Sequence, residues 1–179
     1  MNDAPEKTTE AMIHLICGST GAGKSTYAKS LKNDLGTIHF AIDDWMTSLF
    51  GPDLENPMDW QWISERALRC EQQMISTACA LAKTGASSVL EIGLQEQKKR
   101  AEVATTIKQS GCQLQIHYLD VDSTERWRRV QLRNSEKGET FSLEVTRELF
   151  DFFEDMWESP SENEQAAFKR VNTSGGSSQ

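Results

Sequence analysis

One stretch of eight residues, Gly18-Ser-Thr-Gly-Ala-Gly-Lys24-Ser25, limits the folds open to this chain more than any other feature. It matches the pattern GxxxxGK[ST] in full, the signature of a loop that cradles phosphates. Glycines let the backbone take positive φ and bring N–H groups up to phosphate oxygens. The helix that begins around Gly23 points its positive end at the same anion. Lys24 is placed to reach the β- and γ-phosphates, and the Ser25 hydroxyl to ligate Mg²⁺. The candidate nucleotide-binding set is therefore Gly18, Ser19, Thr20, Gly21, Ala22, Gly23, Lys24, Ser25 and Thr26, with ATP and Mg²⁺ as the implied ligands.

The rest of the chain alternates between two hydrophobic periods. Residues 11–17 form a short apolar run ending at Gly18, and residues 37–42 and 87–92 read as further strands. A fourth strand is expected over 112–121 and a short last one over 167–171. Between them lie helical patterns over 24–35, 62–83 and 95–109, the first stopped by Gly36, the second by Gly85 and the third by Gly111. Asp122 can cap the next helix with Glu125 in the capping-box position, and Ser142 opens another that carries Val145, Leu149, Phe152 and Met156. Strict alternation of strand and helix implies an α/β fold, a mostly parallel sheet covered on both faces. Right-handed crossovers then gather the strand C-termini on one edge, where ligands bind. A single domain over 11–173 is expected, with flexible segments at 1–10 and 174–179.

Charged residues collect at that edge. Asp43 and Asp44 follow the second strand, across the mouth of the site from Lys24. A carboxylate there can take the proton of an acceptor hydroxyl and orient it in line, which makes Asp43 the candidate base. Asp44 either caps the following helix or holds a Mg²⁺-bound water. Glu91 ends the third strand, where P-loop proteins usually place a Mg²⁺-binding aspartate. A glutamate departs from that pattern and is a candidate for the same task. Arg126, Arg129 and Arg133 share one helical face, while Arg128 points elsewhere. Residues 134–140 are polar with a central glycine, the composition of a mobile lid, over which such arginines could neutralise a polyphosphate.

Other residues carry less. Trp60 and Trp62 offer a wall for an acceptor pocket, though packing is the commoner use of tryptophan. Gln95 and Arg100 read as surface helix residues, and His14, His39 and His117 as ordinary strand residues without metal-ligand partners at suitable spacing. The cysteines Cys17, Cys70, Cys79 and Cys112 are scattered and read as reduced thiols of a cytoplasmic protein. The polar opening MNDAPEKTTE has no signal-peptide core, and no apolar run has the length of a membrane span. A net charge of −8 argues against a long nucleic acid as partner.

The P-loop, the Asp43-Asp44 pair and the three arginines before a lid together resemble the P-loop kinases around zeta toxin, chloramphenicol phosphotransferase and the kinase domain of polynucleotide kinase. The resemblance covers roughly residues 11–173. It implies a three-layer P-loop NTPase fold, a five-stranded parallel sheet in 2-3-1-4-5 order with a small lid, ATP-Mg²⁺ as donor and a hydroxyl acceptor. It also implies that Asp43 is the base and that the lid arginines bind phosphates. The leading expectation is a kinase acting on a hydroxyl of a small metabolite. The alternatives are a nucleotide or polynucleotide 5′-hydroxyl kinase, and a nucleotide-dependent switch or ATPase module working through a protein partner.

Overall fold

In a computed structural model, residues 11–54, 59–136 and 144–172 are described. The elements alternate as β1 (Met12–Cys17), α1 (Lys24–Leu35), β2 (Ile38–Ala41), α2 (Ile42–Phe50), α3 (Trp60–Lys83), β3 (Ser88–Glu91) and α4 (Gln97–Gln109). They continue as β4 (Gln113–Leu119), α5 (Ser123–Glu136), α6 (Arg147–Asp155), α7 (Glu162–Ala167) and β5 (Lys169–Val171). The strands form one sheet in the order β2-β3-β1-β4-β5. Every pairing is parallel, so each helix is a crossover and all strand C-termini share one edge. The fold and the strand order are those the motif resemblance implies. Among the described residues no helix is long and apolar enough to cross a membrane.

The central strand sets the layers. Along β1, Ile13, Leu15 and Cys17 face one way and pack with Met74 and Ala78 of α3 and Val103 and Ile107 of α4. Ile16 faces the other way and packs with Ala28 of α1 and Leu119 of β4. A third cluster, Val130, Val145 and Phe150, joins α5 to α6. The four cysteines are free and buried.

Several helix ends differ from the sequence reading. The helix expected to open at Ser142, which lies outside the described residues, begins at Arg147, where the Thr146 hydroxyl caps it by accepting from Leu149 N. Val145 is instead turned into the α5–α6 cluster. Asp122 does accept from Glu125 N at 3.0 Å. The Glu125 carboxylate, however, is taken by Arg128 and Arg129 at 2.7 and 2.8 Å and is drawn away from a capping box. A complete capping box of Ser161 and Glu164 instead opens the unforeseen helix α7, which shortens the last strand to Lys169–Val171. Residues 137–140 of the expected lid, and the expected flexible ends over 1–10 and 174–179, lie outside the described residues. Residues 134–136 belong to α5.

Arg100 corrects a further expectation. It lies on the apolar stripe of α4 with Val103 and Ile107 and is only 1% exposed, so it is no surface residue. Its guanidinium bonds Glu164 and the carbonyls of Leu94, Gln95 and Glu158, which ties α4 to the chain leaving α6 and to α7. Removing one partner of a buried ion pair strands the other. Arg100→Ala should therefore cost about 3–5 kcal/mol of stability, read as a lower urea midpoint with an unchanged slope. A midpoint within error of wild type would show the clamp to be dispensable.

Candidate active site

The P-loop runs from the end of β1 into α1, and its shape depends on glycine. Gly21 has φ of 79°, and a Cβ there would fall 2.6 Å from the carbonyl oxygen of Arg126. Gly23 precedes α1 with φ of 92°. Both conformations are cheap only without a side chain. The loop thus lies directly against the backbone of α5, with its following N–H groups at the start of α1.

Lys24 is half-buried, and its Nζ donates to Ser19 O at 3.1 Å. Burial lowers its pKa, while Glu91 and Asp43 pull the other way. The Ser25 hydroxyl donates to Glu91 Oε1 at 2.6 Å. Glu91 Oε2 lies 3.2 Å from His39 Nε2, but without hydrogen-bonding alignment, so both buried atoms lack a hydrogen-bond partner. Burial opposes ionisation of Glu91, yet His39, Ser25 and Lys24 outweigh it and hold its pKa below the ordinary value. The carboxylate is therefore ionised beside the P-loop serine. Among the described residues no three or more His, Cys, Asp and Glu side chains gather into a metal cage. Mg²⁺ in phosphoryl-transfer sites needs no cage, since one or two protein oxygens suffice beside phosphates and water. The hard oxygens of Ser25 and Glu91, one of them lacking a hydrogen-bond partner, suit that ion.

Asp43 and Asp44 occupy the first turn of α2, where the helix dipole favours negative charge. Neither caps the helix: the N-cap is Ala41 and no side-chain cap bond forms. The Asp43 side chain meets solvent at the mouth of the site. Its pKa is nonetheless raised, first by desolvation and then by the like charge of Glu91, against the attraction of Lys24 and Arg133. The four groups therefore converge electrostatically. Arg133 is half-buried with an unpartnered buried Nε, and burial lowers its pKa while Asp43 opposes that. Asp44 is exposed beside Asp43.

The shared face of α5 divides into three tasks. Arg133 faces Asp43. Arg129 bonds Glu125 and donates from Nη1 to Ala22 O at 3.3 Å, at the back of the loop. Arg126 is buried and held by Glu154, with its charge directed at Ser19 and Thr20 and away from solvent. All three arginines are expected from the sequence to form one phosphate-neutralising ladder; Arg126 differs from the others in that Glu154 engages both its terminal nitrogens. Thr26 is exposed in the first turn of α1.

Two residues escaped the sequence reading. His39 backs Glu91, a juxtaposition set by the β2–β3 register that opposes Ala41 to Glu91. Glu154 reaches the P-loop from α6. Its position four residues after buried Phe150 was the available signal. The tryptophans diverge. Trp62 packs on Phe50 and under the Arg66 guanidinium, 3.6 Å from its ring centroid. Trp60 is 50% exposed and faces Phe152 across an open groove of about 330 Å³.

Residues 13–156 match a family model described as an AAA domain. No curated protein matches the sequence. Several solved structures share the fold. The structure of APE1195 is 20% identical, with a TM-score of 0.65, over 94% of this chain and 88% of that one. A candidate kinase from Chloroflexus aurantiacus j-10-fl is 13% identical, with a TM-score of 0.72, over 92% and 89%. An unliganded sugar kinase from Janibacter sp. HTCC2649 is 13% identical, with a TM-score of 0.59, over 90% and 83%. At these identities the likeness is one of fold.

The raised pKa of Asp43 carries a sign for stability. A carboxyl whose folded pKa lies above its unfolded value destabilises the fold when ionised. That penalty is absent below the unfolded pKa and complete above the folded one. Asp43→Asn should therefore raise the Tm of the ligand-free protein at pH 7, with the gain fading as pH falls through the ordinary carboxylate range. Paired thermal melts at pH 7 and pH 3.5 test this; a lower Tm for the variant at pH 7 would contradict the assigned environment.

Proposed function

The chain belongs to the AAA domain family, and on the P-loop geometry it brings to that family we propose that it is a kinase, transferring the γ-phosphoryl group of Mg·ATP to a hydroxyl of a small molecule. One observation carries the reading: Ser25 of the complete P-loop bonds Glu91 at 2.6 Å, and at the same sheet edge Asp43 stands in the first turn of α2 with its carboxyl open to solvent. A module that only hydrolyses or switches needs a positioned water; a base facing the γ-phosphate side with flanking cations suits an incoming hydroxyl.

In this mechanism the P-loop N–H groups and Lys24 bind the β- and γ-phosphates, and Thr26 borders them. Bound Mg²⁺ neutralises charge on the phosphates; Ser25 and Glu91 are the residues that would hold it, with Asp44 available to a water in its shell. Asp43 takes the proton from the acceptor hydroxyl as its oxygen bonds to the γ-phosphorus. The bond from that phosphorus to the bridging oxygen breaks, and ADP leaves with the electron pair. Arg133 and Arg129 counter the charge that spreads over the transferring group. The net charge of −8 favours a small acceptor over a long nucleic acid. Four buried, unpaired cysteines are in keeping with a reducing, cytoplasmic compartment.

Single-turnover transfer from labelled ATP, screened over a panel of hydroxyl metabolites, tests the reading. Asp43→Asn should lower transfer by about 10²- to 10⁴-fold with little change in Mg·ATP affinity. Since its pKa is raised, the acidic limb of kcat/KM should lie above the ordinary aspartate range and vanish in that variant. Hydrolysis without transfer to any acceptor would favour the switch reading instead. Lys24→Ala should abolish Mg·ATP binding in a folded protein, checked by titration calorimetry. Arg133→Ala and Arg129→Ala should lower kcat more than they weaken Mg·ATP binding, the mark of contacts made mainly in the transition state. Wild-type kcat in both variants would remove them from the site.

A further inference from the structure

Ser19 and Glu154 are 135 residues apart in sequence, yet the Ser19 hydroxyl donates to Glu154 Oε1 at 2.8 Å. Arg126 closes the triangle. Its Nη1 donates to Glu154 Oε1 at 2.5 Å and its Nη2 to Oε2 at 2.6 Å, a bidentate pair. The same Nη1 lies 2.9 Å from Ser19 Oγ and 3.1 Å from Thr20 O, and Nε donates to Val121 O at 2.9 Å. A hydroxyl has one proton, so while Ser19 gives it to Glu154, Ser19 meets Arg126 Nη1 as an acceptor. The three groups therefore fix one another.

The consequence falls on the P-loop peptides. In a trans peptide the C=O and the following N–H point in opposite directions. Arg126 holds the Thr20 carbonyl toward α5, which turns the Gly21 N–H the other way. Arg129 does the same at Ala22, which turns out the Gly23 N–H. A loop that binds phosphate must show it N–H groups and hide its carbonyls. An arginine this close to the loop could itself have met an anion, but Glu154 occupies both its terminal nitrogens.

We propose that Glu154 is a positioning residue for nucleotide binding: it locks Arg126 and Ser19 so that the first half of the P-loop presents N–H groups to the phosphates. This rests on the reading of the P-loop as the Mg·ATP site. It also makes α6 part of the binding machinery, although no residue of α6 is needed to touch the nucleotide. Breaking a charge-assisted buried bond typically weakens what depends on it about tenfold or more.

Hydrogen exchange and Mg·ATP titration on Glu154→Gln and Ser19→Ala, in the full chain, test it. Glu154→Gln should speed amide exchange over residues 18–24 about tenfold and weaken Mg·ATP binding about tenfold, with exchange in β1, β3 and β4 unchanged. Ser19→Ala, a smaller change that keeps the fold if the glutamine variant does not, should shift both in the same direction by less. Unchanged exchange at 18–24, or a rise shared equally with the core strands, would reduce Glu154 to a structural residue. Tighter Mg·ATP binding by Glu154→Gln would show Arg126 reaching phosphate itself and would also overturn the proposal. A wild-type protein with no affinity for Mg·ATP would sink the kinase reading, and the exchange measurement would still decide the triangle.

Discussion

The C-terminal edge of the sheet is organised around a turn that only glycine makes. With φ of 79° and α5's backbone at its Cα, Gly21 leaves no space for a methyl group between the phosphate loop and the carbonyl of Arg126. That close approach has consequences well beyond the loop. It brings α5 near enough for Arg126 and Arg129 to bond the loop's carbonyls. A β-carbon at Gly21 would push α5 outward and loosen both contacts together.

Charge placement at the site works against local stability. Asp43 and Glu91 are like charges brought together in a partly desolvated setting, and Lys24 and Arg133 are cations whose charged forms burial disfavours. Such arrangements are held by the surrounding fold and are typical of places where charge will be used. The fold supplies rigidity elsewhere, through the four-way Arg100 clamp and the apolar layers on both faces of β1. Glu91 shows how the two demands meet. Its carboxylate is backed by His39 and bonded by Ser25, so it stays ionised where burial alone would neutralise it.

Helix α5 shows why a motif read as a unit can divide in space. Arg126, Arg129 and Arg133 share a face by periodicity, yet their surroundings differ: Arg126 meets a carboxylate from α6, Arg129 a loop carbonyl, and Arg133 keeps a buried Nε without a hydrogen-bond partner. Spacing along one helix sets direction; the neighbours that decide a guanidinium's task come from other elements. Trp60 and Trp62 make the same point, two residues apart and facing a groove in one case and an arginine in the other.

Much of the architecture was legible in the chain because it rests on local chemistry. The glycines of the P-loop, the apolar runs of β1 and β3, the 3.6-residue stripe of α3 and the positive-φ stops at Gly36, Gly85 and Gly111 are each dictated by backbone sterics and hydrophobic period. Strict alternation made the sheet parallel and brought Gly18, Asp43, Glu91 and Asp122 to one edge. Short or weakly periodic pieces were not legible: α7 is only six residues, and the start of α6 was decided by the Thr146 hydroxyl when Val145 entered a cluster with α5. The pairings of His39 with Glu91, of Arg100 with Glu164 and of Glu154 with Ser19 join residues whose separation in sequence carries no information about their distance. Strand register sets His39 beside Glu91, and the packing of α6 on α5 accompanies the approach of Glu154 to Ser19. For this protein the sequence determined the phosphate cradle and the sheet that presents it; the tertiary structure decided which charges face that cradle and which are held behind it, because desolvation and ion pairing are set by neighbours in space.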